Sequence, residues 1–401
     1  MKLFIRNFAL SAHRLAKKAD PMAEIKNYLG RPSNNLSSGL VGLANVGKST
    51  FFQAITKSTL GNPANYPFAT IEPEKSLVVV PSEKLDHYQK LFGSEKKVPS
   101  NLTIWDIAGL TRNASSGSGL GNKFLADIRQ VDGIFQVVRG FRDDDIVHIE
   151  DNKVDPVRDL MIVNDELILK DLEFIEMGIE KVTKLFKRPN ANKAEIEQEL
   201  SVLERIQEML YEGNKVINES WNSEEIEIIN GYNLLTAKPT VYLLNVNEQD
   251  YLNQTNEFLP QVEEWISQNS PQDLLAIFSA QYETQLNELN QIEGSAIPQI
   301  VDKMRAALHL VSFYTCGPKE AHQWTLREGS TAPEAAGVIH TDLQKTFISA
   351  LVYKWSDLKD EQPPFNEAQL KSSGKQHRHG KKYVVEDGDV INVKAAGGKT
   401  R

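Results

Sequence analysis

Residues 42 to 50 read Gly-Leu-Ala-Asn-Val-Gly-Lys-Ser-Thr, a phosphate loop of the form G-x-x-x-x-G-K-S, and no other stretch narrows the possible folds as far. Such a loop needs a strand before it and a helix N-terminus after it, so that successive backbone N–H groups converge on negative charge. Gly42 and Gly47 let the backbone come close to the phosphates, Lys48 would bridge the β- and γ-phosphates, and Ser49 offers a hydroxyl to Mg²⁺. The flanks supply the required order. Leu36 to Val41 is a short, partly apolar run suited to a strand, and Thr50 to Lys57 carries Phe51, Phe52, Ala54 and Ile55 on a plausible helix. The motif points to a triphosphate and leaves its base open.

Short apolar runs at Leu77 to Val80, Asn101 to Trp105, Gly133 to Val138, Thr240 to Leu244 and Leu274 to Phe278 alternate with helical segments. That alternation predicts an α/β fold, a doubly wound and mostly parallel sheet with helices on both faces and ligands beyond the carboxyl ends of the strands. Between 156 and 212 the pattern changes. Ile168, Leu172, Ile175, Ile179, Val182 and Phe186 fall at spacings of four and three, and Ile196, Leu200, Leu203 and Leu210 form a second seam beyond Pro189, which predicts an inserted antiparallel helical hairpin. From Ser312 onward, Trp324 to Leu326, Phe347 to Tyr353 and Tyr383 to Val385, with Asp387-Gly388-Asp389 as a turn, predict a small β-rich domain. The expected division is 1–35 as transit peptide and linker, 36–155 with 231–311 as the nucleotide domain, 156–230 as the insertion, 312–395 as the β-rich domain and 396–401 as a tail.

Asp106-Ile107-Ala108-Gly109 follows a strand, where the carboxylate of Asp106 can hold Mg²⁺ through water and the Gly109 backbone can meet a γ-phosphate. Thr70 is a candidate second hydroxyl ligand for Mg²⁺. Leu110 stands where GTPases place a water-orienting Gln, and a leucine neither donates nor accepts. His148, in the loop after the third strand, is the candidate replacement. Base choice is read at Asn245-Val246-Asn247-Glu248, in place of N-K-x-D. Both charged members of a guanine clamp are altered, so adenine is expected, read near Val246, with Ser279-Ala280 closing the pocket. The alternative is relaxed base specificity.

Together with Asn65 to Pro73, Gly119 to Asn122 and Asp143 to His148, these motifs resemble the Obg-like ATPase family, the YchF subfamily of P-loop proteins, over about residues 36 to 394. The resemblance implies an OBG-type nucleotide domain, a coiled-coil insertion and a C-terminal TGS domain, with ATP bound in preference to GTP, hydrolysis, and association with ribosomes. Carried over by position, Asn45, Val46, Gly47, Lys48, Ser49 and Thr50 bind phosphates, Ser49 and Thr70 ligate Mg²⁺, Val246 contacts adenine, Asn245 to Glu248 select it, and His148 matches the histidine proposed to be catalytic. Ala44, Glu74 and Asn113 depart from the usual Pro, Asn and Gly, which puts the hydrolysis rate in question.

Charge and composition narrow the partners. The chain carries −9 overall, yet residues 1 to 19 hold Lys2, Arg6, Arg14, Lys17 and Lys18 without an acid, so the other 382 residues carry −14. With Leu3, Phe4, Ile5, Phe8, Leu10 and Leu15, this start suits a mitochondrial presequence, and a mitochondrial paralogue is expected, with the cytoplasm as the alternative. No apolar run approaches the ~18 residues of a membrane span. A lone cysteine, Cys316, excludes an intramolecular disulfide. Lys371, Lys375, Arg378, Lys381 and Lys382 form a candidate phosphate-backbone patch, so a ribosome or RNA is the expected partner, and the coiled coil could take protein regulators. Two other readings stay open: an ATP sensor that hydrolyses little, and a GTPase of relaxed specificity.

Overall fold

In the computed structural model the described residues are 28–31, 33–57, 75–107, 126–143, 153–188 and 192–396. Strands β1 (Ser37–Val41), β2 (Lys75–Val79), β4 (Asn101–Asp106), β5 (Gly133–Arg139), β6 (Thr240–Asn245) and β7 (Leu274–Phe278) form one sheet in the order β2-β4-β1-β5-β6-β7. All neighbours are parallel except β2, which runs antiparallel to β4 at the edge. β1, β5 and β6 are buried along their whole length, as expected for parallel strands covered on both faces, whereas edge strand β2 alternates. Helix α1 (Lys48–Lys57) turns Phe51 and Ile55 into the core beside Leu40, Phe135, Val241 and Phe278.

The insertion is a helical hairpin. Helix Pro156–Phe186 starts at an Asp155 cap with proline in its first turn, and helix Lys193–Tyr211 packs along it. Thirty-one residues make the first helix about 46 Å long. Ile168, Leu172, Ile175 and Val182 meet Val202, Leu203, Ile206 and Leu210, so the seam read from spacing is the buried seam. A third helix, Ser223–Tyr232, opens on a capping box between Asn222 and Glu225 and completes this core. It packs so close that a Cβ on Gly178 would lie 2.9 Å from the Tyr232 ring.

The second sheet is mixed: β3 (Lys96–Val98), β8 (Leu310–Cys316), β9 (Glu320–Arg327), β10 (Phe347–Tyr353), β11 (His377–His379) and β12 (Val390–Ala395), ordered β11-β10-β12-β8-β9-β3. A boundary at 312 therefore falls inside β8. The sheet also recruits an early segment: β3 pairs in parallel with β9, and helix α2 (Glu83–Phe92) inserts Leu85, Tyr88 and Leu91 against Tyr314, Tyr353, Leu358 and Leu370. The expected strand at Tyr383 to Val385 is instead irregular, with a single bridge from Val384 to Thr331. Tyr383 Oη and the Glu386 N–H both donate to the Asp389 carboxylate, which curls the segment into the Gly388 turn rather than letting it extend.

Residues 28–31 and 33–35 form a strap across all three parts. Gly30 N–H donates to Asn230 Oδ1 and Asn230 Nδ2 to Tyr28 O on the insertion; Arg31 grips Asp132 with two bonds of 2.6 and 2.5 Å; Arg327 of β9 donates to the carbonyls of Arg31 and Leu29. Among the described residues no helix is long and apolar enough to cross a membrane.

Candidate functional site

The phosphate loop connects β1 to α1 through backbone only glycine accepts freely. Gly42 has φ +150° and Gly47 φ +100°; a Cβ on Gly42 would lie 2.4 Å from Val137 O, and one on Gly47 2.3 Å from Asn245 Nδ2. Asn45, at φ 62°, is exposed, whereas the Val46 side chain is buried. Helix α1 has no acid in its first turn, so its positive end is left for an anionic ligand. Lys48 is its first residue, buried, with Nζ donating to Gly42 O at 3.0 Å and Leu43 O at 2.6 Å. Burial pushes its pKa down to about 8, against the pull of Asp106, whose carboxylate closes β4 next to Leu40 of β1. Ser49 and Thr50 are exposed at the helix start.

Asn245 joins this loop to the far side of the site. At the end of β6, its side chain donates to Val46 O and accepts from Ala280 N–H, both at 3.0 Å. Its amide is thus engaged by protein on both ends, which makes it the clasp between the phosphate loop and the chain that follows β7. Val246 is buried among Val138, Leu160, Tyr242 and Leu244, and its N–H donates to Phe278 O, so its contribution to a base would come from its carbonyl. Glu248 is half-buried at the start of helix Glu248–Asn253, capped by Asn247. Ser279 is fully buried and caps helix Ala280–Glu288 by accepting from Tyr282 N–H at 3.3 Å. Thr70, Gly109, Leu110, Asn113 and His148 lie outside the described residues.

Sequence reasoning passed over Arg139. This buried arginine ends β5, donates to Phe141 O at 3.2 Å and Asp143 O at 3.0 Å, and lies over the Phe141 ring, fixing the chain just before residue 144. A lone cation closing an apolar strand was the available signal. The C-terminal basic patch is partly neutralised, since Lys375 pairs with Glu361 at 2.5 Å.

A glycine cradle that any Cβ would fill, a buried lysine, a helix N-terminus without acids, an exposed Ser49 hydroxyl and the Asp106 carboxylate fit a polyphosphate with a divalent cation. Fold and site define a P-loop nucleotide-binding protein of the GTPase type. A family model described as 50S ribosome-binding GTPase matches residues 37–170, and the YchF-GTPase_C model, described as a protein of unknown function, matches residues 310–396. The Obg-like ATPase homolog of Saccharomyces cerevisiae is 53% identical over 399 residues, covering 94% of this chain and 98% of its own, and Obg-like ATPase 1 of the same yeast is 49% identical over 390, covering 94% and 98%. The solved YchF GTPase of Schizosaccharomyces pombe matches with a TM-score of 0.84 at 44% identity, over 92% of this chain and 100% of that one. The chain belongs to the Obg-like ATPase (YchF) family.

Proposed function

We propose that this protein binds ATP with Mg²⁺, hydrolyses it, and uses its nucleotide state to gate association with a ribosome or RNA. The observation carrying the choice of ATP is that the loop clasped to the phosphate cradle by Asn245 presents a buried Val246 and a Glu248. Guanine recognition by N-K-x-D needs a lysine stem over the ring and a short aspartate at its edge, and neither is present. Ser49, with Asp106 through water and Thr70, would hold Mg²⁺. The ion, when bound, neutralises charge on the phosphate oxygens. Lys48 and the N–H groups of residues 45 to 50 orient the phosphates, and His148 is our candidate for orienting water, since Leu110 cannot.

Single-turnover hydrolysis of ATP and GTP, with dissociation constants for both, tests this reading. Tighter ATP binding is expected, with turnover lost and binding kept in His148→Ala; a strong GTP preference would overturn it. Absence of turnover with ATP still bound would favour the sensing alternative, for which Leu110 speaks.

We further read the second sheet as a TGS domain and residues 1–21 as a mitochondrial presequence. Relatives of the nucleotide domain are described as 50S ribosome-binding GTPases, which supports a ribosomal partner. Co-sedimentation with ribosomes in a non-hydrolysable ATP analogue should exceed that without nucleotide; no association in any state would refute the gating. Imaging fusions with and without residues 1–21 tests the address, and equal cytoplasmic signal from both would refute it.

A further inference from the structure

The helical insertion carries a groove of about 810 Å³ between its three helices. Its floor is apolar, formed by Phe174, Met177 and Ile228, and Met177 is 61% exposed there. Its rim is acidic: Glu195, Glu199, Glu224 and Glu227 stand against the single cation Lys181. An apolar floor inside a carboxylate rim suits an amphipathic segment with cations on its polar side.

The chain itself supplies one, and the strap that follows it is tied to a helix that walls the groove. Asn230, one turn beyond Glu227 on helix Ser223–Tyr232, holds Tyr28 O at 3.1 Å and Gly30 N–H at 2.6 Å, while Leu29 packs on the hairpin core. Tyr28, from which residues 1–27 lead off, thus sits beside the helix that walls the groove, in a neighbouring cavity that Tyr28, Gly30 and Asn230 line and that shares Glu227 with the groove. Residues 1–19 carry five cations and no acid, together with Leu3, Phe4, Ile5, Phe8, Leu10 and Leu15. As a helix they would span about 28 Å, and residues 20–27 could bridge up to about 26 Å.

We propose that this groove is the docking site for residues 1–19 of the same chain, aliphatic and aromatic side chains on Phe174, Met177 and Ile228 and cations among the four glutamates. While the segment is attached, the groove is closed to other basic helices; its removal uncovers an acidic, methionine-bearing surface. Rim pairs of this kind are solvent-exposed, so docking weakens as salt rises above physiological strength.

Zero-length carbodiimide cross-linking of the full chain, read by mass spectrometry, tests this. Lys17 or Lys18 should join Glu195, Glu224 or Glu227 within one chain, and the joined peptides should be lost in Glu195→Lys/Glu227→Lys. Mixing isotope-labelled and unlabelled chains separates the alternatives: cross-links absent, or formed only between chains, overturn the proposal. Because reversal on the hairpin could unfold it, Lys17→Glu/Lys18→Glu leaves the groove intact and is read by hydrogen exchange. Exchange at 174–181 and 223–232 should rise to that of a chain lacking residues 1–19; equal exchange in all three chains overturns the proposal.

Discussion

Lys48 is held in the phosphate loop at a cost that depends on pH. Burial brings its pKa to about 8, below its ordinary 10.5, so keeping it charged costs the fold about 3 kcal/mol below pH 8. The cost vanishes as pH rises from about 8 to about 10.5, because the neutral amine is what burial favours. Phosphate oxygens beside Nζ would reverse this preference and draw a proton onto the amine. ATP binding near pH 8.5 is therefore expected to take up a sizeable fraction of a proton, and almost none near pH 6.5. Calorimetry in buffers of different ionisation heats measures the uptake; equal values at both pH values would remove Lys48 as its source.

Among the elements, the hairpin is anchored by one buried carboxylate. Asp171, fully buried in helix Pro156–Phe186, accepts from Leu235 N–H (3.1 Å), Thr236 N–H (2.8 Å) and Thr236 Oγ1 (2.8 Å), with Arg129 at 3.6 Å. Asp171→Ala would leave three buried donors and a cation without this partner, a loss of about 3–5 kcal/mol. Urea unfolding should show the drop, with a smaller one in Asp171→Asn. The hairpin seam and the strands around the site were legible because their burial follows a short-range period, 3.5 for the helices and a continuous apolar run for β5 and β6. Helix α2 went unread. Its Ser82 and Gly93 caps are helix signals, but Leu85, Tyr88 and Leu91 sit among Glu83, Lys84, Asp86 and Lys90, and the surface they bury lies more than 200 residues away. β3, with Lys96 and Lys97 exposed, is a strand only because β9 offers its edge. In the site, the loop glycines and Asp106 were legible from motif spacing, whereas the commitment of Asn245 and Ser279 to protein partners depends on how three strand ends converge.

At the scale of the molecule, the strap ties sheet, hairpin and second sheet together through Asp132. Its carboxylate holds Arg31 and also accepts from Ser37 N–H at 2.9 Å, so the strap and the start of β1 share one anchor. Asp132→Ala should raise hydrogen exchange across residues 28–36 while β5 and β6 keep their protection; a rise spread evenly over the molecule would refute a local latch. The crossing of α2 and β3 into the second sheet bears on how the chain is made. Ser94 bonds to Gly317 across 223 residues of sequence, a distance that takes about 10–45 s to synthesise. For that interval Leu85, Tyr88 and Leu91 have no surface to cover them, so a nascent chain halted before residue 310 presents a sticky helix. Holdase chaperones are expected to be captured there, and released once β8 and β9 emerge.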